Sequence, residues 1–185
     1  MPISDEREDF WTFSVLTYPK ARDEFLWLQD HAGLEVNILL LCLWAADKGR
    51  QLGGLEFSVV SKAIEDWNQH VVRPMRVMRR WMKPMATSCE IKYFRDTVAA
   101  LELEGEKFAQ GLMIDALATR QSRFCHDRVD PVELAVINLT TYLRACELDI
   151  GSESRRVITR MMTCVFQKSD RPAIVQMFER ALNTI

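Results

Sequence analysis

Nine consecutive apolar residues, Ile38 to Ala46, lie between Asn37 and Asp47. A membrane span needs about 20 such residues, so this run is too short to cross a bilayer. Wound as a helix it has no polar face, and a helix without one must be surrounded by other elements. The segment therefore demands a fold with a centre and enough chain to enclose it. With 185 residues, 48% of them hydrophobic, the chain has the length and the apolar content to do so.

The enclosing elements read as helices. Seven glycines and six prolines fall well below the usual combined share of about 12%, which excludes collagen-like, linker-rich and turn-dense all-β folds. Apolar residues recur at helical spacing almost throughout. A first helix is expected from Ser4, with Asp5 and Glu6 in its opening turn, ending before Tyr18-Pro19. A second runs from Pro19 to about Asp30 with Gly33 beyond its end, and a third from Glu35 to Lys48, ending at Gly49. Gly53-Gly54 marks a loop. A fourth stretch spans Phe57 to Lys83, kinked or restarted at Pro74 and stopped by Pro84. The fifth, from near Ser88 to Ala118, repeats Ile91, Phe94, Val98, Leu101, Gly105, Phe108 and Leu112 at steps of three and four, a seam for lengthwise packing. Asp130-Pro131 opens a sixth, Gly151-Ser152 precedes a seventh, and Ser169-Asp170 opens an eighth. The expected fold is an all-α, single-domain bundle of about seven to nine helices over residues 1–185. In it, residues 130–185 pack as C-terminal helices on a core formed by 1–118.

Compartment and cofactor follow from what the motifs lack. The N-terminus MPISDEREDF is acidic where a signal peptide is basic. Five widely spaced cysteines (42, 89, 125, 146, 164) include no C-x-x-C, so neither a disulfide framework nor a structural zinc site is expected. These features predict a protein of the reducing cytoplasm. Three histidines (31, 70, 126) form no H-x-x-x-H or E-x-x-H pair, and no phosphate-loop, dinucleotide or nucleophile-elbow motif occurs. No metal and no cofactor are expected. Cys125-His126-Asp127 has the residue types of a nucleophile and base, but it lies in a charged loop and reads as solvated.

Two constellations remain. Residues 71–95 carry seven cations against the single carboxylate of Glu90, while the whole chain has a formal charge of -2. Arg73, Arg76, Arg80 and Lys83 fall within roughly a quarter of a helix circumference, with Arg79 beside them and Met75, Met78 and Met82 nearly opposite. Such a helix can dock an acidic protein partner. It can equally be a solvated face, or one paired with Glu102, Glu104 and Glu106 of the next helix. Nucleic acid is disfavoured, because one short basic helix without aromatic stacking partners is a thin footprint. The second constellation, Gln29, Asp30, His31 and Asn37 around Gly33, gathers polar groups at a tight turn, with Trp11 and Trp27 as candidate walls. Asp30 or Asn37 can cap the next helix or fix the turn. Alternatively His31 with Asp30 can act as base and orienter, although adjacent helical residues do not face each other.

The pattern Phe10-Trp11-x-Phe13-Ser14, Tyr18, Leu28-Gln29-Asp30-x-x-Gly33-x-x-Val36-Asn37-x-Leu39-Leu40 and Trp44 resembles a family of short proteobacterial helical proteins catalogued as a domain of unknown function. Arg73-Pro74-Met75-Arg76, Arg79-Arg80, Tyr93, Glu102 and Glu104 extend it more loosely. The resemblance implies a small cytoplasmic helical protein and brings no catalytic residue. Two functions follow from the residues. One is a non-catalytic interaction protein docking an acidic partner on the 73–83 face. The other is a small-molecule-binding protein or metal-independent enzyme with its site around residues 29–37. Oligomeric state is open.

Overall fold

The computed structural model describes residues 3–119, 123–124, 129–147, 151–167 and 171–183. They form nine α-helices: α1 (Ile3–Thr17), α2 (Arg22–Ala32), α3 (Val36–Asp47), α4 (Gly54–Trp67), α5 (Arg73–Met82), α6 (Cys89–Ala118), α7 (Pro131–Ala145), α8 (Ser152–Val165) and α9 (Arg171–Asn183). Two residue pairs, β1 (Arg50–Gln51) and β2 (Arg123–Phe124), meet as a minimal antiparallel ladder, Arg50 opposite Phe124. No helix among the described residues is long and apolar enough to cross a membrane.

The apolar run occupies the centre, as its composition requires. Asn37 to Ala46 are buried without a break, and α3 packs against α1, α2, α6 and α7. Phe10 meets Trp44 with ring centroids 5.2 Å apart. Tyr18 stacks on Phe25 at 5.6 Å. From the C-terminal half, Leu134, Leu139 and Leu143 of α7 and Ile158 and Met161 of α8 join the same core. Asn138 of α7 is fully buried and links three backbone groups there. Its Oδ1 accepts from the Leu52 N–H (2.9 Å), and its Nδ2 donates to the carbonyls of Cys42 (3.2 Å) and Arg50 (3.1 Å).

Several helix ends follow residue chemistry. Gly33 ends α2 at φ +67, the left-handed conformation that glycine adopts at least cost. The Ser88 hydroxyl accepts from the Ile91 N–H (3.3 Å), and Asp130 Oδ1 from the Val132 N–H (2.7 Å). Other boundaries differ from expectation. Tyr18–Ala21 is a 3₁₀ turn, so Pro19 precedes α2 rather than opening it. Gly53-Gly54 is a helix start, with the Gly53 N–H donating to Glu56 Oε2 at 3.1 Å. The fourth stretch is two helices joined by a π-helical turn, Asn68–Val72, with Pro74 just beyond it in the first turn of α5. Residues 125–127 and 169–170, with the expected opening of the eighth helix, lie outside the described residues.

The α6 seam is only half used. Val98 and Gly105 are buried and Leu112 packs on the core, while Phe94, Leu101 and Phe108 are exposed along its flank. The reason is that α4 and α5 cover one side of α6 and α1 another, leaving that flank uncovered. Gly105 serves close approach: a Cβ there would meet Met75 Cε at 3.2 Å, and its carbonyl accepts from Trp67 Nε1 at 2.9 Å.

Candidate functional site

Helices α1, α2, α3, α5 and α6 enclose a half-open cavity of about 490 Å³. Its apolar wall comes from Trp11 and Val15 of α1, Leu26 of α2, Leu40 of α3, and Ala99 and Leu103 of α6. Its polar groups come from three directions. Arg76, Arg79 and Arg80 of α5 line one side, Glu102, Glu106 and Gln110 of α6 another, and Gln29 and Asn37 flank the α2–α3 turn. Arg22 and Arg95 complete a lining of five arginines against two glutamates.

The basic helix therefore faces inward. Arg79 donates twice to Glu102, from Nε and from Nη2 (3.0 Å to Oε1). Arg76 donates from Nε to Glu102 Oε1 (3.3 Å) and from Nη2 to Glu106. Glu102 and Glu106 stand four residues apart on one face of α6, which lets both reach the same row of guanidinium groups. Asn37 then joins the chain, donating through Nδ2 to Glu106 and accepting at Oδ1 from Gln110 Nε2 (2.9 Å). Burial pushes the Glu106 carboxyl above the ordinary glutamate range against the pull of Arg76 and Asn37. The hydrogen bonds to Glu102 hold Arg79 more firmly protonated, and burial raises the Tyr18 phenol beside them.

The turn residues part company. Asn37 caps no helix: Glu35 is the N-cap of α3 and makes no side-chain cap. Gln29 lines the cavity and donates to Asp30 Oδ1 (3.2 Å). Asp30 itself receives Arg80 Nη2 at 3.0 and 3.2 Å. Burial raises the Asp30 carboxyl, but the Arg80 and Gln29 hydrogen bonds outweigh it and leave the group below the usual range. His31 turns away, its Nδ1 at 3.2 Å from the Trp27 carbonyl and its ring stacked on Trp27 at 4.9 Å. Neither His31 nor Trp27 lines the cavity, so Trp11 is the wall and Trp27 is not. Arg73 reaches outward to Glu35 at 2.6 Å, and Lys83 is exposed beyond the end of α5. Asp66 and His70 meet only through the Asp66 carbonyl, 2.9 Å from His70 Nδ1. No group of three or more metal-ligating side chains occurs among the described residues.

Against the family models, residues 9–113 match one described as Protein of unknown function (DUF2390). The chain belongs to this family. No curated protein and no solved structure matches it. The DUF2390 segment contains every residue that lines the cavity, from Trp11 to Gln110. Helices α7 to α9 follow it in sequence, and α7 packs against α3 within the same core.

Sequence reasoning missed Arg22 and Gln110 and did not place Arg95 in the site, whereas pairing of the basic helix with Glu102 and Glu106, one of the readings open above, is what the structure shows. A signal was present. Arg95, Ala99, Glu102, Glu106 and Gln110 recur at helical spacing, a polar stripe beside the apolar seam.

Proposed function

We propose that this DUF2390 protein binds a small, negatively charged molecule in the cavity between α1, α2, α3, α5 and α6. The observation that carries the reading is the direction of the basic helix, whose Arg76, Arg79 and Arg80 line a concave, largely apolar space. Pockets of some 300–1,000 Å³ with apolar walls and a few convergent polar groups are the usual form of small-molecule sites. Guanidinium groups pre-oriented by carboxylates suit an anion, because their planar donors match its oxygens. An acidic protein docking on the 73–83 face from outside would meet only Lys83 and Arg73, itself held by Glu35, because Arg76, Arg79 and Arg80 line the cavity. The reading assigns binding and no chemical step. Its setting is a reducing cytoplasm, which suits free thiols at Cys42, Cys89 and Cys146.

Titration with 1-anilinonaphthalene-8-sulfonate, a compact aromatic anion, tests the proposal. One saturable site is expected, with quenching of Trp11 at the cavity wall. The double variant Arg80→Gln/Arg95→Gln should weaken it about tenfold with the fold intact. Binding that is absent, or indifferent to the double variant, refutes the reading.

A further inference from the structure

Helix α5 lies antiparallel on α6: Met75 sits over Gly105, Arg76 reaches Glu106 and Arg79 reaches Glu102. That contact line divides the pair into two flanks. At about 100° per residue, Arg76, Arg79 and Arg80 of α5 fall on the same side of it as Glu102 and Glu106 of α6, and all five line the cavity. Met78 and Trp81 of α5, with Met85 in the 3₁₀ turn behind it, fall on the opposite side with Phe94, Leu101 and Phe108 of α6. The antiparallel register sets Met78 level with Leu101 and Met85 level with Phe94, so the six side chains form one stripe. Trp67 extends it beside Phe108, with ring centroids 4.4 Å apart.

The six residues are between 37% and 66% exposed. At about 200 Å² for a large side chain in full contact with water, the stripe presents about 600 Å² of apolar surface, the upper end of what a monomer shows to solvent. Two such stripes set face to face would remove about 1,200 Å² from water, the size at which specific protein interfaces begin.

The spacing is self-complementary. Phe94 and Phe108 stand seven residues either side of Leu101, the period at which two helices interlock lengthwise. A two-fold axis at Leu101 lays α6 antiparallel on α6, with each Phe94 level with Phe108 of the second copy. The charges permit this pairing. On α6 the ionisable residues within about 60° of Leu101 are Glu90, Glu104 and Asp115, and Arg7 holds the last. The axis places Glu90 level with Leu112 and Glu104 level with Val98 of the second copy, so no acid meets acid. An anionic lipid surface would face those carboxylates with no cation of α6 among them. We propose that the stripe is the interface of an antiparallel homodimer, a second copy of this chain being its occupant. It is independent of the anion-binding reading, because stripe and cavity lie on opposite flanks of the α5–α6 pair.

Sedimentation velocity of the full chain from about 1 to 100 µM should show a monomer–dimer equilibrium. Leu101→Glu sets two carboxylates at the axis and should weaken dimerisation about a hundredfold or more, with the helical circular dichroism unchanged. Phe94→Glu should act alike, and it decides alone should Leu101→Glu fail to fold. Cross-linking by oxidised glutathione in a Cys89→Ser background, against that background as control, reads the pairing. Leu101→Cys should form a covalent dimer. Phe94→Cys thiols would stand about 21 Å apart, beyond disulfide reach, and should link only when mixed with Phe108→Cys. A monomer throughout the range, a dimer indifferent to both glutamates, or Phe94→Cys linking alone as readily as Leu101→Cys overturns the inference. A monomer that sediments with phosphatidylcholine–phosphatidylglycerol vesicles also overturns it and gives the stripe to a membrane.

Discussion

Replacing Glu102 by glutamine should move stability and anion affinity in opposite directions. Glu102 accepts three hydrogen bonds from two arginines, and the side chains of Glu102, Arg76 and Arg79 are 10%, 18% and 29% exposed. A glutamine offers one acceptor oxygen, and its NH2 group faces donors that the carboxylate satisfied. Breaking a buried ion pair costs about 3–5 kcal/mol and an exposed one about 0.2–1. Arg76 keeps Glu106 and Arg79 is partly solvated, so the loss should fall between, at about 2 kcal/mol. The same change removes one of the two carboxylates lining the cavity. For an anion roughly 7 Å away, an effective dielectric constant of about 20 gives a repulsion of about 2.4 kcal/mol. Salt screening in a half-open groove reduces this to about 1.4 kcal/mol, roughly a tenfold gain in affinity. Urea unfolding followed by tryptophan fluorescence gives the stability, and titration with 1-anilinonaphthalene-8-sulfonate gives the affinity. If both fall together, Glu102 shapes the cavity instead of opposing its ligand, and the electrostatic reasoning is refuted.

Three further outcomes follow from the packing. Asn138→Ala should cost about 3 kcal/mol, since it orphans the Leu52 N–H and withdraws donors from two carbonyls; a loss under 1 kcal/mol by urea midpoint contradicts that assignment. Gly33→Ala should cost about 1 kcal/mol through its left-handed φ alone, because nothing lies within 4 Å of the added Cβ; a stabilised variant speaks against it. The raised Glu106 carboxyl predicts a pH effect. Its contribution is complete below the unfolded glutamate value of 4.5 and is lost as pH rises through the higher folded value. The stability of the native protein relative to Glu106→Gln should therefore decline with rising pH above 4.5, and a difference that grows instead contradicts the direction.

The bundle was legible because its signals are local. An apolar run with no polar face can only lie inside, and Ser88, Asp130 and Gly33 act at the ends where their side chains or backbone freedom fit. The cavity was far less legible, because its polar groups meet through the register of α5 on α6. Arg79 and Glu102 are 23 residues apart, and Arg76 and Glu106 are 30. Spelled in sequence, Glu102-x-Glu104-x-Glu106 alternates and looks like a solvated flank. On the helix, Glu102 and Glu106 share a face that the middle glutamate leaves. The polar turn misled for a related reason: Asn37 is two residues past the cap position, Glu35, so its amide is released to α6 while His31 folds back on Trp27.

The π-helical turn at Asn68–Val72 gives the site's charge an address in helical phase. A π turn accommodates one more residue than the α-helix it interrupts, and each added residue advances everything downstream by about 100°. The guanidinium row of α5 points at Glu102 and Glu106 only with that advance included. Removing a single residue from the turn would swing the row about a quarter-circle aside, taking Arg76, Arg79 and Arg80 out of the cavity and leaving it Arg22 and Arg95. A five-residue stretch outside the cavity lining thus acts as the indexing step that decides whether the α5 guanidinium groups face Glu102 and Glu106.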